Sequence, residues 1–182
     1  MHHVQGATTY LTMEFRRRTI LFAAIALIVA VGLDQGSKVW IRGTLAPGAA
    51  FPLFGPVTIT HVQNTGSVFG IGQGLVLVPT IASILVLAMI PVVLYRLHAH
   101  YHFWPSAAEM MCVGLIAGGA VGNLIDRLVL GHVTDFVYVR LLNGFYWPAF
   151  NIADSCIVVA TGVLLVLLVR RGVFDDAEGA LP

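Results

Sequence analysis

Two aspartates lie in contexts that invite chemistry. Asp135 occurs in Gly131-His132-Val133-Thr134-Asp135-Phe136, and Asp154 in Phe150-Asn151-Ile152-Ala153-Asp154-Ser155, at the head of a long apolar run. A carboxylate at the edge of hydrocarbon is expensive, so it is a functional hypothesis by default. Two of them at the same end of neighbouring helices suggest an acid/base pair. Carboxylates at close range cannot both ionise, and a shared proton lets one act as base and the other as acid. Peptide hydrolysis needs that combination: an activated water and a proton for the leaving amine.

Other polar residues fall at the same level. Asp34 and Lys38 are four apart and share a helix face. Asn64 and Gly66 precede the second apolar run, Asn123, Asp126 and Arg127 end the third, and Asn151 opens the fourth. The asparagines can bind a peptide backbone or hold the aspartates. Plainer roles stand beside these. Asp34 with Lys38 can be a structural ion pair, Asp126 with Arg127 a brace, and Asn151 a helix N-cap. Asp154 can be stabilised by the dipole of the helix it opens. Glu109, near the opposite end of the third run, is the exception to the common level.

Ser155 and His132 hint at a serine hydrolase, but no G-x-S-x-G elbow surrounds Ser155. His132 and Asp135 as metal ligands lack an H-E-x-x-H partner pattern. The seven histidines are scattered, and Cys112 and Cys156 sit inside apolar runs as thiol filler. No metal site is expected.

The elements that position these residues must be membrane helices. The 182 residues are 58% hydrophobic and 10% charged, with a mean hydropathy of +0.87. That excludes an ordinary soluble domain. A net charge of +1 supplies no field for nucleic acid. Four apolar runs, at about residues 19–40, 75–95, 107–130 and 151–169, are long enough to span a bilayer as helices. Arg16, Arg17, Arg18, Arg96, Arg170 and Arg171 flank them on one side, against Lys38, Arg42, Arg127 and Arg140 on the other. The first side is expected to be cytoplasmic, with both termini there. A cleaved signal peptide at the first run is disfavoured because its apolar stretch continues toward Trp40. The expected organisation is a cytoplasmic tail over 1–18, a four-span domain over 19–170 and a second cytoplasmic tail over 171–182. Met13 is an alternative start.

Residues 57–62 alternate like a strand, and 133–141 are β-prone, which predicts a small sheet on the outer membrane surface. Gly66, Gly70, Gly72 and Gly74 predict a bent approach to the second helix. Gly114-x-x-x-Gly118 and Gly118-x-x-x-Gly122 predict close helix contact in lipid.

Five motifs in order, Asp34-Gln35-x-x-Lys38, Asn64-Thr65-Gly66, Gly122-Asn123-x-x-Asp126-Arg127, Gly131-His132-Val133-x-Asp135-Phe136 and Phe150-Asn151-x-Ala153-Asp154-Ser155, resemble the bacterial lipoprotein signal peptidases, or signal peptidase II. The resemblance covers about residues 19–170. It implies an aspartic endopeptidase of the inner membrane, with its site at the outer face. The reaction implied is removal of the signal peptide from diacylglyceryl-modified prolipoproteins, just before the lipidated cysteine, with no metal, nucleotide or organic cofactor. It makes Asp135 and Asp154 the catalytic pair. Asp34, Lys38, Asn64, Gly66, Asn123, Asp126, Arg127 and Asn151 become substrate-binding or supporting residues. The fold implied is a membrane all-α protein: four transmembrane helices with a small extracytoplasmic β-sheet and a surface helix. The expected partners are the prolipoprotein and membrane lipid, with the chain working as a monomer. One departure is Ser67-Val68-Phe69-Gly70, where small residues such as alanine are common in the family. The rival readings are a proton-coupled transporter using the paired aspartates, weakened by the lack of a visible inverted repeat, and a membrane assembly protein built on the Gly-x-x-x-Gly contacts.

Overall fold

The structure, a computed structural model, describes residues 2–66, 76–101, 103–141 and 144–173. Its elements run α1 (His2–Thr44), β1 (Ala50–Phe54), β2 (Val57–Asn64), α2 (Leu77–Tyr101), α3 (Ala107–Leu130), β3 (Val133–Arg140), β4 (Tyr146–Phe150) and α4 (Ile152–Arg170). All four helices contain a stretch long and apolar enough to cross a membrane. The two β-hairpins occupy the α1–α2 and α3–α4 connections, so both emerge at the same end of the bundle.

The third predicted run coincides with α3, and the fourth with α4 and its cap. The first helix is longer than the apolar pattern suggests, because it continues back through the polar segment to His2. Outside lipid a helix needs no apolar stripe, and the Arg18–Glu14 pair at 2.6 Å supports the turn before the span. The glycines at 70, 72 and 74, the departure at 67–70 and the acidic tail at 175–178 lie outside the described residues. Among the described residues there is no α-helix besides the four.

α3 is the central helix. Its small residues face both neighbours: a methyl group added at Gly114 would collide with the Ala23 carbonyl of α1, and one at Gly119 would lie 2.5 Å from the Ala153 carbonyl oxygen of α4. Ala26, Ala30 and Ala160 are buried in the same seams. Small side chains let backbones approach where lipid offers no hydrophobic drive for association. α2 packs chiefly along α3 and is otherwise apolar on its exposed sides, as suits a helix surrounded by lipid.

The end of α3 turns sharply. Gly131 adopts φ 75° as its C-cap, and its N–H bonds the Arg127 carbonyl, which feeds the chain straight into β3. The sheet is antiparallel in the order β1-β2-β3-β4. β2 and β3 are the two strands expected from the sequence. β1 and β4 are additional, and each contains a proline, Pro52 and Pro148. Proline cannot donate to a ladder and is tolerated on edge strands, which both of these are. β2 is fixed to the end of α1 by the Gly48 N–H to His61 carbonyl bond at 2.8 Å and by the His61 ring against the Leu45 carbonyl at 2.8 Å. A register shift between Ile59 and Val62 sets Val62 opposite Asp135.

Candidate active site

Asp135 lies on β3, between β2 and β4, and Asp154 lies in the first turn of α4. Asn151 links them. It caps α4, its Oδ1 accepting the Asp154 N–H at 3.0 Å, while the Asp154 carboxylate accepts the Asn151 N–H at 3.2 Å. This is a reciprocal capping box. The same side chain sends its Nδ2 to Asp135 Oδ1 at 2.6 Å and to Asn123 Oδ1 at 3.1 Å. The expected N-cap is thus present, and the same side chain also contacts Asp135 and Asn123.

Two further amides complete the surroundings. Asn64, at the end of β2, donates to Asp135 Oδ2 at 2.8 Å, and its own Oδ1 accepts the Gly66 N–H at 3.0 Å. Asn123 donates to Asp154 Oδ1 at 2.8 Å. Burial pushes the Asp135 carboxyl up to about 7. The nearby Asp154 charge acts in the same direction, and the Asn64 and Asn151 donors and the Lys38 charge oppose it. Asp154 sits where the α4 dipole favours negative charge.

Behind the aspartates lies a buried ionic layer. Lys38 meets Asp34 at 2.8 Å, with both side chains fully covered, and Asp126 at 3.3 Å. It donates to Asn123 Oδ1 at 2.9 Å. Asp34 accepts the Ala153 N–H at 3.0 Å, and Asp126 accepts the Thr134 N–H at 2.9 Å. Buried charges persist only when paired and hydrogen-bonded, and this layer meets that condition. Gly122 makes room for it, since a methyl group there would stand 2.5 Å from Asp34 Oδ2. Arg127 reaches Ser83 of α2 and the Asn123 carbonyl, each at 3.4 Å.

All ten residues singled out in the sequence therefore meet at one end of the bundle. Three contributors were not singled out. Gln35 donates to Asp34, to the Gly122 carbonyl and to Asp126. Arg42 reaches Thr134 Oγ1 at 3.0 Å and Asp126 at 3.6 Å. Thr134 contributes its backbone N–H to Asp126. Gln35 and Thr134 stand inside two of the motifs, and that adjacency was the available signal. Ser155 spends its hydroxyl on the Asn151 carbonyl at 3.0 Å, which leaves it oriented as a helix side chain. Glu109 lies at the far end, where it closes a capping box with Ser106 and meets Arg171 at 2.5 Å.

The aspartates open onto a cavity of about 820 Å³. Its polar end holds Asp135, Asp154, Asn64 and Arg127. Its apolar wall is formed by Ile157 and Val158 of α4, Pro79 of α2, and Trp147 and Phe150 of β4. Two carboxyls, an amide, a guanidinium and an extended apolar surface thus line one cavity.

Residues 16–170 match the model of the family described as Signal peptidase (SPase) II. A lipoprotein signal peptidase of Syntrophomonas wolfei is 38% identical over 145 residues, covering 79% of this chain and 89% of that protein. A lipoprotein signal peptidase of Caulobacter vibrioides is 39% identical over 165 residues, covering 85% and 90%. Among solved structures, a bacterial membrane enzyme determined by the in meso method at 2.3 Å resolution superposes with a TM-score of 0.63 at 27% identity, covering 90% of this chain and 94% of that one.

Proposed function

The chain belongs to the signal peptidase II family, and from that premise we propose that Asp135 and Asp154 are the residues with which it removes signal peptides from prolipoproteins. The observation that carries the assignment is Asn151, one side chain that caps the helix of Asp154 and donates to Asp135. It couples the two carboxyls without neutralising either.

In the resting enzyme the pair shares one proton, and the upward push that burial gives the Asp135 carboxyl favours its seat there. Asp154, at the positive end of α4, is the carboxylate. Asp154 takes a proton from the attacking water while Asp135 donates to the carbonyl oxygen, and the roles reverse as the amine leaves. Arg127, Asn64 and Gly66 line the cavity; the Arg127 guanidinium offers donors to the peptide, while Gly66 holds Asn64 and Asn64 holds Asp135. The apolar wall receives the diacylglyceryl chains of the cysteine that follows the scissile bond. No step in this scheme calls for a cofactor.

The substrate's acyl chains stay in lipid while its scissile bond lies near the headgroups. A site at the outer end of the spans meets it there, with the sheet extracytoplasmic and both termini cytoplasmic, as the arginine distribution favours. Residues 19–170 are the peptidase unit, in the inner membrane, working as a monomer. The transporter alternative finds no support in the family or in the relatives, which are peptidases. The test is a gel-shift assay on a diacylglyceryl prolipoprotein with the purified chain. Asp135→Asn and Asp154→Asn should each abolish cleavage in a folded protein. Near-wild-type turnover by either would overturn the assignment.

A further inference from the structure

Lys38 has three ammonium protons, and each has an acceptor: Asp34 Oδ2 at 2.8 Å, Asn123 Oδ1 at 2.9 Å and Asp126 Oδ2 at 3.3 Å. Its side chain is fully buried. What lies beyond each acceptor is the informative part. Asp34 uses its other oxygen to hold the N–H of Ala153, the residue before Asp154. Asp126 holds the N–H of Thr134, the residue before Asp135. Asn123 turns its amide nitrogen to the Asp154 carboxylate itself.

Resting on the dyad assignment above, we propose that Lys38 is a positioning residue that sets the spacing of the two catalytic carboxyls. It does so through two ion pairs that grip the backbone just ahead of each, and through one amide whose orientation it fixes. An asparagine side chain can turn over and exchange its oxygen and nitrogen. An ammonium can only donate, so the atom facing it must be the oxygen. Asn123 is thereby obliged to offer its nitrogen to Asp154. Asn151 gives the same oxygen a second donor at 3.1 Å, which couples the lock to the Asp135 side. Two carboxyls that repel each other must be held close to share a proton, and misplacement by about 1 Å costs roughly 100-fold in rate.

The charged groups that Lys38 acts on are Asp34 on α1, Asp126 on α3, Asp135 on β3 and Asp154 on α4; Arg42 and Arg127 face the same carboxylates, Arg42 at Asp126 and Arg127 near Asp154, Asp135 and Asp126. Removing the cation leaves the carboxylates less compensated, so the dyad should keep its proton to higher pH.

The experiment compares the purified full-length chain with Lys38→Met, Lys38→Arg and Glu109→Gln, using a diacylglyceryl prolipoprotein in detergent. Lys38→Met should lower kcat by about 100-fold with KM little changed, and move the alkaline limb of the kcat profile upward. Lys38→Arg keeps the charge but not the three-way geometry. Its limb should stay in place while kcat stays low. Glu109→Gln loosens a buried pair at the far end of the bundle and should lower Tm without moving the limb or the turnover per folded molecule. Should Lys38→Met not fold, Gly122→Ala presses on Asp34 alone and should lower kcat with the limb unmoved. Wild-type kcat in Lys38→Met, or in Gly122→Ala where that variant stands in for it, overturns the proposal. So does an unmoved limb in Lys38→Met. Turnover by Asp135→Asn or Asp154→Asn would instead sink the dyad assignment itself.

Discussion

Asn151 and Asp135 are joined by a 2.6 Å hydrogen bond between the start of α4 and the middle of β3, and the same asparagine caps α4 with its other amide atom. The two jobs can be separated. Asn151→Asp preserves a good cap but replaces the donor to Asp135 with a second carboxylate. We expect a folded, helical protein whose cleavage rate falls by about 100-fold or more. Circular dichroism and a single-turnover assay check this. Retained turnover would show that the cap alone matters.

The raised Asp135 carboxyl predicts the shape of the pH profile. Its proton is present below about 7 and lost above it. If that proton is the one donated, kcat should decline as pH rises through about 7. The limb belongs to the coupled pair, not to one residue. A profile flat from pH 6 to pH 9, measured with a single lipopeptide, would contradict the proton assignment.

The same shift has a consequence for stability. Asp135 binds its proton more tightly in the folded state, so between the ordinary carboxyl value of 3.8 and about 7 the folded chain carries more protons than the unfolded one. Stability contributed by this group therefore falls as pH rises across that window. Asp135→Asn cannot ionise and escapes the loss. Its Tm relative to wild type should increase from pH 5 to pH 8. A difference constant with pH would mean that Asp135 is not the titrating group.

Helix contact gives a fourth prediction. Gly119→Ala places a methyl 2.5 Å from the carbonyl oxygen of Ala153, whereas Gly162→Ala meets nothing within 4 Å. The first should cost about 1–3 kcal/mol and also impair cleavage, because Ala153 precedes Asp154. The second should be neutral or mildly stabilising, since alanine is the better helix former. Thermal unfolding in detergent and cleavage per folded molecule separate the two. Equal effects would show that the α3–α4 seam can yield.

For orientation, Phe145→Cys in the β3–β4 connection, at an exposed side chain, should react with a membrane-impermeant maleimide added to intact spheroplasts. Cys112 is buried and Cys156 half-buried, so background should be low. Reaction only after lysis would reverse the topology.

Much of this was legible in the sequence because hydrocarbon is a strict solvent. The apolar runs located α3 and α4 closely, and the cost of charge in lipid marked Asp34, Lys38, Asp126 and Asp154 before any fold was known. Other features left no side-chain signature. Pro52 and Pro148 disguised β1 and β4, because proline argues against a strand unless the strand is known to be an edge. The grips on Ala153 and Thr134 are made by backbone N–H groups, which every non-proline residue possesses. Gln35 and Arg42 act through partners about 90 residues away in the chain, a proximity that only the packed bundle creates.

The prolines at both margins of the sheet also bear on crowding. A peptidase of lipoprotein precursors meets extended chain continually, and an unprotected strand edge is a template onto which such chain can zip. Pro52 and Pro148 each leave a gap in the row of donors that zipping would require. Both margins of the sheet are therefore poorer templates for passing polypeptide than an uninterrupted edge would be.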